Sequence, residues 1–323
     1  MKIFKTTLML ITIFSTGMVY AQTENLTKKV KSETVANISA SLKANYIYLD
    51  TAIKMGSFLQ RQLKSGSYDN IQKAAVFAAI LTNDLSSVYH DGHLSISYDL
   101  VSTAANGKTD TTMEKERMLK FRKRVNFGFV KAEILNGNIG YLKIDGFFEP
   151  DSAAKIMTIA AFRFVSNSES LIIDLRNNMG GDPGMVSFIC GFLFNQKTHL
   201  NDLYSRKDKT TTAYWAIPDT ILKRFHNMPI YILTSKRTFS AGEELTYDLQ
   251  TQKRAVIIGE TTSGGAHPVQ PFTVGNGFVA NVPFARAINP ITKSDWETVG
   301  VKPDKAVPAD QALDFVLRMV NHK

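Results

Sequence analysis

From Leu94 onward the chain alternates between two hydrophobic periods, and that alternation limits its fold more than any other feature. Short runs rich in β-branched and aromatic residues lie at Leu94–Ser97, Phe127–Ile134, Ile139–Ile144, Leu171–Leu175, Ile230–Leu233, Val256–Ile258 and Phe278–Val282. Helical stretches at Ser152–Val165, Gly184–Phe194 and Ala241–Gln250 fall between several of them. A strand buries a face and a helix buries a stripe, so strands interleaved with helices predict an α/β core. Before Leu94 the pattern is helical. Leu26, Val30, Ile38 and Leu42 share one face. Asp50 is placed to cap a second helix through Ile53, Leu59 and Leu63 that stops at Gly66. Asp69 and Gln72 have capping-box spacing before a third helix through Ile71, Ala75, Ala78 and Leu85. These three helices predict a small bundle. Asp99 to Arg117 is polar, contains Asn106-Gly107, and reads as a loop.

The first residues read as an export signal. Lys2 and Lys5 precede an apolar stretch from Thr7 to Met18, and Val19-Tyr20-Ala21 supplies suitable residues for cleavage before Gln22. The apolar run falls short of the roughly 20 residues a span needs. The expected organisation is a signal peptide over 1–21, a helical domain over 22–93 and an α/β domain over 94–323. No membrane anchor is expected after cleavage, and export ends in the periplasm or the medium. Lys plus Arg number 38 against 29 Asp plus Glu, a formal charge of +9, but the basic residues are scattered. Scattered charge argues against a nucleic-acid groove. The runs Lys28-Lys29-Val30-Lys31 and Arg122-Lys123-Arg124 read as solvated faces. The single cysteine, Cys190, sits in an apolar run and excludes a disulfide framework and multi-cysteine metal sites.

Four segments carry candidate chemistry. Ser240 lies where an apolar strand turns into a helix, a position that exposes a hydroxyl beside free helix N–H groups. Ser240 and Glu243 also have the spacing of a capping box, which needs no catalysis. Gly180-Gly181 follow a buried strand, and paired glycines there free backbone N–H groups for an anion or simply make a tight turn. His90-Asp91-Gly92-His93 offers a general base, half a metal site, or solvated loop histidines. Glu297 either orients a histidine or pairs with a lysine.

Taken together and in order, these motifs resemble the C-terminal-processing (tail-specific) serine peptidase family. More narrowly, they resemble its branch around interphotoreceptor retinoid-binding protein and the tricorn core protease. The stretches that carry it are Tyr68–Leu94, ending in D-G-H-L; G-N-I-G-Y-L at Gly137–Leu142; and D-L-R-x-N-x-G-G at Asp174–Gly181. To these add T-F-S-A-G-E, G-E-T-T-x-G-G-A-H-P and W-E-x-x-G-V-x-P-D between Thr238 and Asp304. The resemblance implies a crotonase/ClpP-like core of βα units behind a three-helix domain. It implies a serine endopeptidase acting on polypeptides, with no cofactor or metal needed. Many relatives use a lysine base in G-E-T-T-x-G-K-G, where this chain has Gly265; Lys236 and Lys253 match no family position. The Ser–His branch then implies Ser240 as nucleophile, His93 as base and Glu297 as the orienting carboxylate. The N–H groups of Gly180 and Ala241 would form the oxyanion hole, with Gly181 replacing Gly180 if the register is off by one. The region between His93 and Ile139 is too short for an inserted PDZ domain. Retinoid-binding relatives on this fold give a second reading, a non-catalytic binder of apolar ligands. An imidazole base would make activity rise through about pH 6–7. Intact-mass measurement of exported protein should give Gln22 as the mature N-terminus; retention of Met1 would overturn the export reading.

Overall fold

The computed structural model describes residues 26–99, 111–220 and 222–321. The expected signal segment and Asn106-Gly107 lie outside these residues. In chain order the elements are α1 (Lys28–Asn45), α2 (Leu49–Lys64), α3 (Ala74–Val88), β1 (Ser95–Tyr98), α4 (Thr111–Arg124), β2 (Phe129–Leu135), β3 (Ile139–Ile144), α5 (Ser152–Phe164), β4 (Ser170–Asp174) and α6 (Pro183–Leu193). There follow β5 (Thr198–Ser205), β6 (Thr210–Ala216), β7 (Ile230–Thr234), α7 (Ala241–Thr251), β8 (Val256–Gly259), β9 (Val269–Gly275), β10 (Phe278–Pro283), β11 (Ala285–Ile288), β12 (Lys305–Ala306) and α8 (Ala312–Asn321).

The central sheet has the order β12-β8-β7-β4-β3-β2. Its pairs are parallel except β2 with β3. Every residue of β4 and β7 is buried, as parallel strands covered on both faces require. Alternation sorts their side chains. Leu171, Ile173, Ile230 and Ile232 join α5, α6 and α7 in one core, while Ile172, Tyr231 and Leu233 meet Ala312 and Val316 of α8 in another. Cys190 is fully buried in the first core, where burial pushes its thiol well up and leaves it unreactive.

The three helices do not close a core alone. Val35, Ile38 and Leu42 of α1, Met55 and Leu59 of α2, and Phe77, Leu81 and Leu85 of α3 pack with Ile96, Phe278, Ala280 and Val282. Those partners belong to the antiparallel sheet β1-β10-β9, most of which comes from residues 269–283. The Phe77 and Phe278 rings meet edge to face at 5.8 Å. This junction fixes His93, which lies in the short connection from α3 to β1. A third small sheet, β11-β5-β6, flanks the core.

Several expectations change. Asp69 does not cap α3, which starts at Ala74; its carboxylate instead takes the Lys28 ammonium at 3.1 Å. Asp50 sits in the first turn of α2, after the cap position Tyr48. The expected loop to Arg117 is helical from Thr111, because the Met, Glu, Lys and Arg that follow are good helix formers with no glycine or proline. The two basic runs are not wholly solvated. Lys31 is buried and donates to the carbonyls of Tyr68 and Asp69 at 2.7 and 3.0 Å. Arg122 pairs with Asp151 at 3.0 Å and lies over the rings of Phe127 and Phe148. Phe77→Ala should destabilise the fold by about 3–5 kcal/mol, whereas Ile53→Ala, at a half-exposed position, should stay within about 0.5 kcal/mol. Denaturant unfolding followed by circular dichroism checks both.

Candidate active site

The loops after β4 and β7 leave the sheet side by side at its C-terminal edge, the usual place for a site in an open α/β sheet. The Phe239 N–H donates to the Asn178 carbonyl at 3.0 Å and the Thr238 hydroxyl to the Leu175 carbonyl at 2.9 Å. The second loop ends at Ser240, the cap residue of α7, whose backbone sits at φ 53°, ψ −124°. A left-handed φ on a serine at a strand-to-helix turn is the strained geometry that thrusts a hydroxyl outward. Glycine is required opposite it, since a Cβ on Gly180 would lie 2.5 Å from the Ser240 Cβ.

Glu243 holds this turn in place. The Ser240 N–H donates to its Oε2 at 2.9 Å, which is the reaching-back half of the capping box. The same buried carboxylate also accepts from the Thr262 hydroxyl at 2.5 Å, the Gly264 N–H at 2.6 Å and the Gly265 N–H at 2.9 Å. The cap seen in the sequence is therefore also a staple between the turn and the glycine-rich loop. The Ser240 hydroxyl itself lies 3.0 Å from His93 Nε2.

His93 is held by its backbone N–H, which donates to Asp91 Oδ1 at 3.1 Å, and by its ring, stacked on Phe239 at 4.4 Å and 28°. Burial lowers its pKa to about 4, against the opposing pull of Asp91. The ring is therefore neutral near pH 7 and able to accept a proton. Its Nδ1 and the Glu297 Oε1 are both buried without a hydrogen-bond partner among the described residues. Glu297 Oε2 accepts from the Ala266 N–H at 2.6 Å, and burial pushes its carboxyl up to about 7. Gly265 gives the imidazole its room: a Cβ there would fall 2.2 Å from the Phe239 ring and 2.9 Å from His93 Cε1. Any side chain at this position would collide with the stacked pair.

The sequence reading missed a second histidine–carboxylate pair. His267 Nδ1 lies 2.8 Å from Asp91 Oδ2, which also accepts from the Tyr46 hydroxyl at 2.9 Å. The Asp91 charge raises His267 against the cost of burial, and the same contacts outweigh burial to keep Asp91 below the usual carboxylate range. The only sequence signals for the pair are the D-G-H and A-H-P motifs. Donor atoms of Asp91, His93 and Glu297 come within 4.8 Å of one another, a spacing open to a metal ion. The Asp91 carboxylate there is already filled by His267, Tyr46 and the His93 N–H. His90 turns away to Ser86 at 3.1 Å. Lys236 and Lys253 are exposed.

Of the expected anion donors, Ala241 is the first residue of α7, so its N–H has no acceptor within the helix. The Gly180 N–H donates to Asn178 Oδ1 at 2.8 Å. The bridge between Phe147 and the glycine loop uses the Gly180 carbonyl and the Asp182 N–H. By strand alternation the Gly181 N–H then faces away from Phe147. Gly181, Ser240 and Ala241 line one small cleft of about 70 Å³.

The sequence model of peptidase family S41 matches residues 138–307, and that of the N-terminal domain of this family in eukaryotic IRBP matches residues 24–129. The chain is 28% identical over 208 residues to carboxyl-terminal-processing peptidase 2, chloroplastic, of Arabidopsis thaliana, covering 58% of this chain and 37% of that one. It is 25% identical over 211 residues to the carboxyl-terminal-processing protease of Picosynechococcus sp., covering 64% and 48%. The chain thus spans less than half the length of either relative. The fold superposes on the photosystem II D1 C-terminal processing protease with a TM-score of 0.52 at 15% identity, over 90% of this chain and 97% of that one. A family match over more than half of the chain, on an α/β core shared with a processing protease, places this protein in peptidase family S41.

Proposed function

We propose that the protein is an exported serine endopeptidase in which Ser240 attacks the substrate carbonyl. The observation that carries this reading is the 3.0 Å contact of Ser240 Oγ with the neutral imidazole of His93 at a strained strand-to-helix turn. The Ser240 proton passes to His93 Nε2 as the C–O bond forms, and the imidazolium then protonates the leaving amine. Water reverses the sequence to release the acyl group. Glu297 supports the positive imidazolium from the Nδ1 side, directly or across one bridging water. The Ala241 and Gly181 N–H groups receive the oxyanion, because the Gly180 N–H already serves Asn178. The apolar-ligand reading finds little room beside Ser240, where the cleft is about 70 Å³ against the roughly 300 Å³ or more of small-molecule sites, and falls instead to the separate hollow of about 530 Å³ lined by Phe121, Val125, Phe129 and Phe148.

Ser240→Ala and His93→Ala should each lose about 10⁴-fold or more in kcat, and the double variant should be little worse, because groups acting as a unit are non-additive. Glu297→Gln should lose about 10²-fold; Lys236→Ala and Lys253→Ala should stay within a few-fold. Peptidase assays on variants shown folded by circular dichroism, with fluorophosphonate labelling of Ser240, check this set. An active His93→Ala sinks the assignment.

The pH profile separates base from orienting acid. His93 sheds its proton near pH 4, so above about pH 5 the base is ready. Glu297, raised to about 7, stays neutral below that pH and ionises above it. A rise in kcat/KM through about pH 7 should therefore belong to Glu297, not to the imidazole. Glu297→Gln should flatten the profile between about pH 5 and 8 as well as lower it. A rise near pH 7 that persists in this variant returns the titration to His93.

A further inference from the structure

The cleft that opens beside Ser240 and Ala241 has a carboxyl group in its wall that the proposed chemistry does not use. Glu244 lies one helical turn beyond Ser240 on α7 and so shares its face. It is 95% buried, at 5% exposure. Its Oε1 accepts from Asn201 Nδ2 at 3.3 Å, and its Oε2 takes no hydrogen bond among the described residues. The charges around it are of one sign. Asp182 raises the Glu244 carboxyl from the α6 side, and Asp248, a further turn along α7, is fully buried behind it. Tyr214 of β6 feels both Glu244 and Asp182. The one basic side chain lining the cleft is His267, whose Nδ1 is already committed to Asp91. A carboxyl buried without a cation is held well above its usual range, and a cation brought in by a ligand relieves that cost.

The other walls suit an aliphatic stem. Leu203, Ala241, Ala287 and Trp296 line the same cleft as Glu244. At about 70 Å³ it holds roughly five to seven water-sized groups of 10–15 Å³ each. The lower figure matches the non-hydrogen atoms of an unbranched lysine side chain, and only the upper one reaches those of arginine. Lysine is built for such a slot, with methylenes on apolar walls and an ammonium at the polar end.

We propose that this cleft is a specificity subsite for lysine on the N-terminal side of the scissile bond, with the Glu244 carboxylate binding its ammonium. The proposal rests on the peptidase reading above. The test uses the mature protein with matched peptides carrying lysine, norleucine, arginine or alanine at that position, alongside fluorophosphonate labelling of Ser240. Lysine should exceed norleucine, which keeps the four-carbon stem and lacks the ammonium, in kcat/KM by about 10–100-fold, the range of a hydrogen bond to a charged group. Arginine should fall below lysine. Glu244→Gln should cut the lysine-to-norleucine ratio about tenfold or more; the wild-type comparison needs no variant to fold. A protein that labels and cleaves but does not prefer lysine overturns the subsite and leaves the peptidase reading intact. So does a lysine preference untouched by Glu244→Gln. A wild-type protein that neither labels nor cleaves any peptide brings down the peptidase reading and the subsite with it.

Discussion

The site depends on one buried carboxylate. Glu243 accepts four hydrogen bonds that tie the Ser240 turn to the glycine-rich loop, and it is fully buried. Burial pushes its carboxyl up while these four donors pull it down, so the donors are what make the position tolerable. Through Ser240 N the carboxylate fixes the strained turn, and through Gly264 and Gly265 it fixes the loop that leaves space for the His93 ring. Loss of this carboxylate would leave several buried N–H groups unpaired, each costing about 1–3 kcal/mol.

Around that anchor, burial sets two histidines in opposite states. His93 has no bonded partner on Nδ1 among the described residues and is driven neutral; His267, seated on Asp91, is driven toward the cation. Asp91 serves both, accepting the His93 backbone N–H on one oxygen and the His267 ring on the other. Glu297 lies near both rings with one oxygen bonded to the Ala266 N–H. Proton affinity at the site is thus set by which group lacks a partner, more than by residue type.

Much of the architecture was legible because it rests on local periodicity. The strands β3, β4, β7, β8 and β10 and the helices α5, α6 and α7 fall within a residue or two of their expected bounds. The missed strands β5, β6, β9, β11 and β12 carry polar residues, a proline or a short length, and they exist by virtue of their neighbours. Thr198–Ser205 includes Asn201 and Asp202 mid-strand, yet it pairs on both edges. Lys31 and Arg122 looked solvated because a charge in a sequence carries no sign of the distant carbonyl or aromatic ring that receives it. Asp69 looked like a cap because capping spacing recurs by chance wherever polar residues cluster.

The sequence by itself determined the α/β alternation, the serine at a strand-to-helix junction and the glycine pair that follows a buried strand, since each depends on residues close in the chain. Only the tertiary structure decided what those residues meet. Ser240 and His93 are 147 positions apart, and Asp91 and His267 are 176 apart. The sheet built from β1, β9 and β10 closes that distance by binding the N-terminal helices to strands from the far end of the chain. Contacts of this kind depend on how separate hydrophobic faces fit together, a property no local pattern carries.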